Sequence, residues 1–451
     1  MIPPILIAGY YGFENAGDEA ILGVLLADLR AEYPETPITV VTGRPQRVQS
    51  DHAVETLDQT DLDGIIEAAA GAKLMVLGGG GLLQDYGGAG PDGLLLPNPD
   101  SISYYAGFAI LGGLVGTPVI IYAIGAGPLD TAGGRALTAL ACRAADRVTV
   151  RDAASKDLLA SIGVEPDRLQ VTADPVFLVE PSSVPQAEPS ERLRIGVSVR
   201  PWGTGEWMPA LAGALDMLAE KADADIRFIP FQTSDRDHEN DVSTAGVVAG
   251  RMTHRSEIVE APISIQELMS TVGECDLLIG MRYHSVILAA LTATPVVALA
   301  YDPKVSHLMS EMGLAGYSLD IEALTAETIV AAADRAMEDE SLTSRLAAAV
   351  ADHRTRARLN RAGLRVGDPA RHEFPERGRV TADLLKSRSG LKRKAGRLEW
   401  ELGELQARYD SLGDQYRDLT AEYDKLLRSK ALAPARLYWK LRGRLGRTPT
   451  D

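Results

Sequence analysis

The sequence predicts an α/β protein: two Rossmann-like domains facing a cleft, with a helical extension behind them. Three observations carry this expectation. Short β-branched runs alternate with helix-sized stretches, a Pro- and Ser-rich break interrupts them, and leucines recur every seven residues near the end. At 451 residues the chain also exceeds the roughly 250–300 at which single cores stop growing.

In residues 1–180 the runs begin at Ile5 ("ILIAGYY"), Ile38 ("ITVVTG"), Lys73 ("KLMVLGGGG"), Pro118 ("PVIIYAIG"), Arg147 ("RVTVRD") and Leu169 ("LQVTADPVF"). Strands that are apolar throughout and separated by helices belong to a parallel sheet covered on both faces. Residues 104–127 are uncharged and long enough to imitate a membrane span. Gly112, Gly113, Gly116 and Pro118 divide them into a helix and a strand, so the stretch reads as buried core. Residues 181–192, rich in Pro and Ser, form the expected linker. The pattern resumes at 193–345, with runs from Arg194, Ile226, Glu257, Leu277 and Pro295.

A helical, basic connector is expected over 346–385. In 386–427, Leu391, Leu398, Leu405, Leu412, Leu419 and Leu426 keep strict heptad register, with Ala395, Leu402, Tyr409, Tyr416 and Tyr423 four positions later. This is the pattern of a coiled coil, which predicts a homo-oligomer; Gly396, Gly403 and Gly413 favour the alternative of a single helix folded back on the body. The tail, 428–451, interleaves Arg436, Lys440, Arg442, Arg444 and Arg447 with Leu437, Tyr438, Trp439 and Leu441. Such a mixture suits an anionic membrane surface, and a solvated tail is the other reading.

Net charge is −16. Residues 354–451 hold 24 Lys and Arg against 13 Asp and Glu, so the first 353 residues carry −27. So acidic a body argues against nucleic acid as a partner. Cys142 and Cys275 are the only cysteines, which excludes a disulfide framework and suits a reducing cytoplasm. The opening residues run into a strand with no basic segment before it, unlike a signal peptide. No His pair has ligand spacing with a carboxylate, so no metal is expected.

Candidate chemistry gathers at strand ends. "GYYGFENAGDEAIL", Gly9 to Leu22, turns from a strand into a helix and lacks both the dinucleotide glycine spacing and a Walker lysine, so no nucleotide cofactor is expected. It offers a helix N-terminus with Asn15 or Asp18 as cap, its free amides facing the cleft. "VLGGGGLLQD" ends a strand in glycines, which permit close approach, and sets Asp85 beyond them as a proton acceptor or a loop cap. In the second domain three strands end in cations: Arg200, Arg282 with His284, and Lys304. Guanidinium groups suit carboxylate and phosphate, and lysine is a point charge for phosphate. Arg282 and His284 share a face if their strand continues. Of the seven histidines only His284 directly ends an apolar run, which marks it as a proton-transfer group. The expected site is an anion pocket for a small phosphorylated acid.

"GYYGFENAGDEAIL", "GGGGLLQD", "AIGAGPL", "RVTVRD", "TADPVF", "VSVRPW" and "MRYHSVILAAL" together resemble the polysaccharide pyruvyl transferases, in the branch acting on bacterial cell-surface glycopolymers. The resemblance runs in order from about Ile5 to Leu314. It implies a GT-B-like fold, phosphoenolpyruvate as donor, and a hydroxyl pair on a lipid-linked or polymeric glycan as acceptor. It implies a cytoplasmic enzyme, at the inner face of the membrane if the tail binds lipid. The family's active-site positions fall on Asp85, Arg200, Arg282, His284 and Lys304, with His284 and Asp85 as acid and base in either order. The segment after Asp85 is longer and richer in Gly and Pro than the family's pattern. A sugar-nucleotide glycosyltransferase, a sugar-phosphate sensor and a coiled-coil scaffold are the rival readings.

Overall fold

The computed structural model describes residues 2–365 except 91–92, 95–97, 99–100, 181–191, 234–239 and 261–263, together with Gln406. The heptad segment, the basic tail and nearly all of the linker lie outside the described residues. Both sheets belong to one compact unit, Met1–Arg377.

The first sheet contains β1 (Ile5–Ala8), β2 (Ile38–Thr42), β3 (Glu55–Asp58), β4 (Leu74–Leu77), β5 (Gly80–Leu83), β6 (Val119–Ala126), β7 (Arg147–Val150) and β8 (Leu169–Val171). Its order is β3-β2-β1-β4-β6-β7-β8, with β5 also paired to β6. The second contains β9 (Arg194–Ser198), β10 (Asp225–Phe228), β11 (Ser256–Ile258), β12 (Leu277–Gly280), β13 (Val296–Ala300) and β14 (Ser318–Asp320), in the order β11-β10-β9-β12-β13-β14. Every pairing is parallel. In each sheet the order reverses beside its first strand, between β1 and β4 and between β9 and β12. Ligands of open α/β sheets bind at the carboxyl ends of strands flanking such a reversal.

The runs read from the sequence became strands, and three further strands appear: β5, split off at the glycine end of the Lys73 run, and two edge strands. β3 ("ETLD") and β14 ("SLD") lie at sheet edges and are part-exposed, so they have no need of the apolar run that betrays a central strand. The membrane-like stretch is the buried helix Ile102–Val115 followed by β6. Gly116 closes that helix at φ 81°, a conformation glycine adopts without strain. Among the described residues no helix is long and apolar enough to cross a membrane.

Among the described residues the halves meet through backbone groups at two places in particular. Residues 14–16 lie against 231–233: Ala16 N donates to Phe231 O at 2.9 Å, Thr233 N to Glu14 O at 3.3 Å, and Asn15 bridges Gln232 in antiparallel fashion. The helix Leu342–Ala357, which runs through the boundary expected at 345, returns from the second sheet to the first half. Arg354 Nε donates to Phe177 O at 3.0 Å, Asn360 Nδ2 to Ala173 O at 2.8 Å, and Tyr33 Oη to Leu364 O at 2.8 Å. Leu342 and Leu346 are fully buried in the core of the second half, which also takes in Ala173, Val176 and Phe177.

This returning helix packs on the helix Tyr283–Leu291 and on the turn Pro175–Leu178. Leu346→Ala is therefore expected to lower the unfolding free energy by roughly 2–5 kcal/mol, read by denaturant titration. A cost under about 1 kcal/mol, the usual size for surface positions, would show the helix to be loosely held.

Candidate functional site

A cavity of about 480 Å³ opens where the two strand-order reversals face each other. Asn15 and Asp18 line it from the first half, and Arg200, Arg282, His284 and Lys304 from the second. All the sequence-predicted residues except Asp85 are brought together there.

The second half supplies a wall of cations. β12 ends at Gly280, so Arg282 and His284 do not continue the strand; Arg282 is the N-cap of the helix Tyr283–Leu291 and His284 lies in its first turn. Buried Asp241 grips Arg282, accepting from Nε at 3.0 Å and also from Nη2. Among the described residues Nη1 has no hydrogen-bond partner. Arg200 Nη1 donates to Tyr301 Oη at 3.0 Å, and the guanidinium lies 4.9 Å from the Tyr301 ring centre. Lys304, in the first turn of the helix Pro303–Glu311, sits 5.4 Å from the same ring and pairs with Asp302 at 3.2 Å. Burial would raise the Tyr301 pKa, yet Lys304 and Arg200, with Arg282 behind them, lower it below its ordinary 10. A phenol that ionises more easily despite being only 8% exposed reports a strongly positive local potential.

The first half supplies acids and a histidine contact. Asn15 caps the helix Ala16–Glu32 through Gly17 N at 3.2 Å, and Ala16 N is spent on Phe231 O. These amides are not the open anion cradle expected from the sequence. Asp18 is 7% exposed, and its carboxylate lies against Gly80, where a Cβ would meet Oδ1 at 2.7 Å. The chain runs there at φ 105°, which is why a glycine opens β5. Burial pushes the Asp18 pKa up to about 6, against the pull of His284. The His284 ring packs against Gly17; a Cβ there would overlap Nδ1. Its Nε2 is buried without a hydrogen-bond partner, 3.7 Å from Asp174 Oδ2.

Asp174 and Arg151 were not singled out from the sequence. Arg151 Nη1 donates to Asp174 Oδ2 at 3.1 Å and the guanidinium lies 4.0 Å from the Tyr283 ring centre. Burial would raise the Asp174 pKa, but His284 and Arg151 hold it below the usual range. Arg151 follows β7 as Arg200 follows β9, so the strand-end signal was present. Tyr301 precedes the cap residue Asp302 and carried no signal beyond its place after β13.

Asp85 is not brought to the cavity. Its Oδ1 accepts from Asp130 N at 3.0 Å, and its Oδ2 from Thr131 N and Oγ1, both at 2.7 Å. Burial would raise its pKa, but the Thr131 hydroxyl and the two amides lower it. A carboxylate so engaged anchors the turn before the helix Ala132–Ala144, and its expected part as proton acceptor is withdrawn. The neutral part of the cavity wall comes instead from Gln84, Tyr86 and Gln232.

Two variants test these surroundings. Arg282→Ala strands Asp241 as an uncompensated buried charge, so it is expected to cost about 3–5 kcal/mol of stability on top of any loss of binding. For Asp18 the folded pKa of about 6 lies above the ordinary 3.8. The stability of its protonated form is thus fully present below about pH 4 and lost as pH rises through about 6. Asp18→Asn should match the wild type at pH 4 and exceed it by roughly 2–3 kcal/mol at pH 8. Parallel stability curves for the two proteins would contradict the buried-acid assignment.

The model of the family "Polysaccharide pyruvyl transferase" matches residues 15–303, more than half of the chain. The amylovoran biosynthesis protein AmsJ of Erwinia amylovora is 20% identical over 434 residues, covering 85% of this chain and 99% of AmsJ. Among solved structures, Alr3699/HepE of Anabaena in complex with UDP-glucose is similar at a TM-score of 0.53 and 14% identity, over 80% of this chain and 97% of that one. The UDP-GlcNAc 2-epimerase of Methanocaldococcus jannaschii gives 0.50 and 10%, over 75% and 94%. At these identities the structures share the fold, two Rossmann-like domains in the GT-B arrangement. From the family match, the chain belongs to the polysaccharide pyruvyl transferases and is a transferase.

Proposed function

We propose that the cavity takes phosphoenolpyruvate and transfers its pyruvyl group, as a ketal, onto two hydroxyls of a sugar in a cell-surface polysaccharide or its lipid-linked precursor. The observation that carries this reading is the convergence of Arg200, Lys304 and Arg282 on Tyr301, with His284 lining the same cavity. Phosphoenolpyruvate sets a carboxylate and a phosphate on a three-carbon frame, and it needs fixed cations close together.

His284 gives a proton to the methylene carbon, which makes C2 electrophilic. The first sugar hydroxyl attacks C2 and yields its proton to Asp18, whose pKa of about 6 suits proton exchange near neutrality. Asp174, pinned by Arg151, lies 3.7 Å from His284 Nε2 and orients the ring. The cations hold the phosphate and carboxylate throughout. The heptad and the basic tail add self-association and attraction to an anionic membrane surface, on sequence pattern alone.

The test uses purified protein, phosphoenolpyruvate, and the producing strain's surface polysaccharide stripped of pyruvate by mild acid. Phosphate release that depends on the polysaccharide is expected. Binding of a UDP- or GDP-sugar without binding of phosphoenolpyruvate would select the glycosyltransferase reading instead. Arg200→Met and Lys304→Met should each weaken donor binding in calorimetry by roughly ten- to a hundredfold, the range for a charge-assisted contact. His284→Gln should lower turnover by about 10²–10⁴-fold while donor binding changes far less.

A further inference from the structure

We propose that Tyr301 is a catalytic residue of this transfer, passing a proton from its hydroxyl to the departing phosphate and recovering one from the second sugar hydroxyl. This role rests on the pyruvyl-transfer reading above.

The reaction has two protons to move. When the first hydroxyl adds to C2, its proton replaces the one that His284 delivers to the methylene carbon. A tetrahedral centre results, bearing methyl, carboxylate, the new ether oxygen and phosphate. To finish, the bond from C2 to the phosphate oxygen must break and a bond from C2 to the second hydroxyl oxygen must form. The proton of that second hydroxyl has to end on phosphate, giving hydrogen phosphate and a neutral ketal carbon. Without a relay, phosphate leaves with its charge uncompensated while the second hydroxyl keeps its proton.

Among the groups at the cation wall, the Tyr301 hydroxyl is the one placed between the cations to relay. Arg200 and Arg282 keep their protons at any working pH, and the Lys304 ammonium is held by Asp302 at 3.2 Å. Asp302 also caps its helix through Lys304 N at 2.9 Å and accepts from Tyr86 Oη at 3.1 Å, so its carboxylate is fully engaged. Asp18, and His284 where it packs against Gly17, lie beside the helix Ala16–Glu32, where the first proton moves. The Tyr301 hydroxyl sits among these cations, with Arg200 Nη1 at 3.0 Å and Lys304 5.4 Å from its ring centre. It already accepts from Arg200 Nη1 at 3.0 Å, so its own proton is free to point at a ligand, and a phenolate formed there keeps that donor. The ring is fixed by an edge contact with Trp202 at 4.7 Å between centres. The same cations that bind phosphate also ease ionisation of this phenol, which is what a transient phenolate between two proton transfers requires.

Tyr301→Phe keeps the ring, its contact with Trp202 and its place beneath Lys304; it removes the hydroxyl, and with it both the relay and the acceptor for Arg200 Nη1. In the full-length protein, phosphoenolpyruvate binding by calorimetry should stay within a few-fold. Turnover with the depyruvylated polysaccharide should fall about a hundredfold or more at pH 8. The loss should shrink below about pH 6, where the phosphate group carries its own second proton and leaves unaided. An ultraviolet difference titration, wild type minus Tyr301→Phe, should show one phenol ionising below about pH 10, and inorganic phosphate should move that ionisation upward. If the wild type turns over and Tyr301→Phe matches it at pH 8, the relay is wrong and the donor reading stands. A loss equal at every pH would reduce Tyr301 to a packing or binding group. A wild type that neither binds phosphoenolpyruvate nor releases phosphate removes the donor reading, and Tyr301's part with it.

Discussion

Asp241 is fully buried and accepts hydrogen bonds from three places: Phe231 N and Gln232 N at 3.0 Å each, and the Arg282 guanidinium. One carboxylate thus sets both the main cation of the site and the 231–233 segment that meets residues 14–16 of the other half. A buried ion pair is a poor source of net stability, because desolvation of both charges offsets most of their attraction. It is a good source of geometry, since neither partner has another low-energy position. The relation between the cation wall and the first half of the chain follows from that restriction.

The two walls of the cavity keep their protonation chemistry apart by different means. On the second half, cations outnumber carboxylates around Tyr301, so anions are favoured. On the first half, Asp18 is held partly protonated by loss of water, while Asp174, at comparable burial, stays ionised because His284 and Arg151 compensate it. Two carboxylates flanking one histidine therefore sit on opposite sides of their ordinary value. Differences of this kind let a single site both give and take protons near neutrality.

Much of this was legible in the sequence, for a definite reason. Strands buried on both faces must be apolar along their length, so a cation closing such a run is conspicuous; Arg200, Arg282, His284 and Lys304 were found that way. Arg282 and His284 reached the cavity from a helix start and not from an extended strand, yet the signal sufficed, because strand end and helix start are separated by a single turn. The edge strands β3 and β14 escaped because half-exposed strands carry no apolar run. Asp85 was misjudged because its partners, Asp130 and Thr131, lie about forty-five residues further on, and no local pattern shows which acids a distant turn will engage. The raised pKa of Asp18 and the cation-ringed hydroxyl of Tyr301 depend on burial and on contacts across the cleft, neither of which has a sequence period.

The returning helix Leu342–Ala357 bears on how such a chain can be divided or recombined. The obvious seam, the Pro- and Ser-rich stretch before Arg194, is not a clean one, since helices encoded at the far end of the second half hydrogen-bond to Thr172, Ala173 and Phe177 of the first. A hybrid gene that exchanged everything after that seam would import Asn360 and Arg354 against unfamiliar carbonyls beneath Asp174. A viable exchange of halves between relatives would have to cut twice, carrying residues beyond about 342 along with the first half. The inheritable module here is discontinuous in the gene although it is contiguous in space.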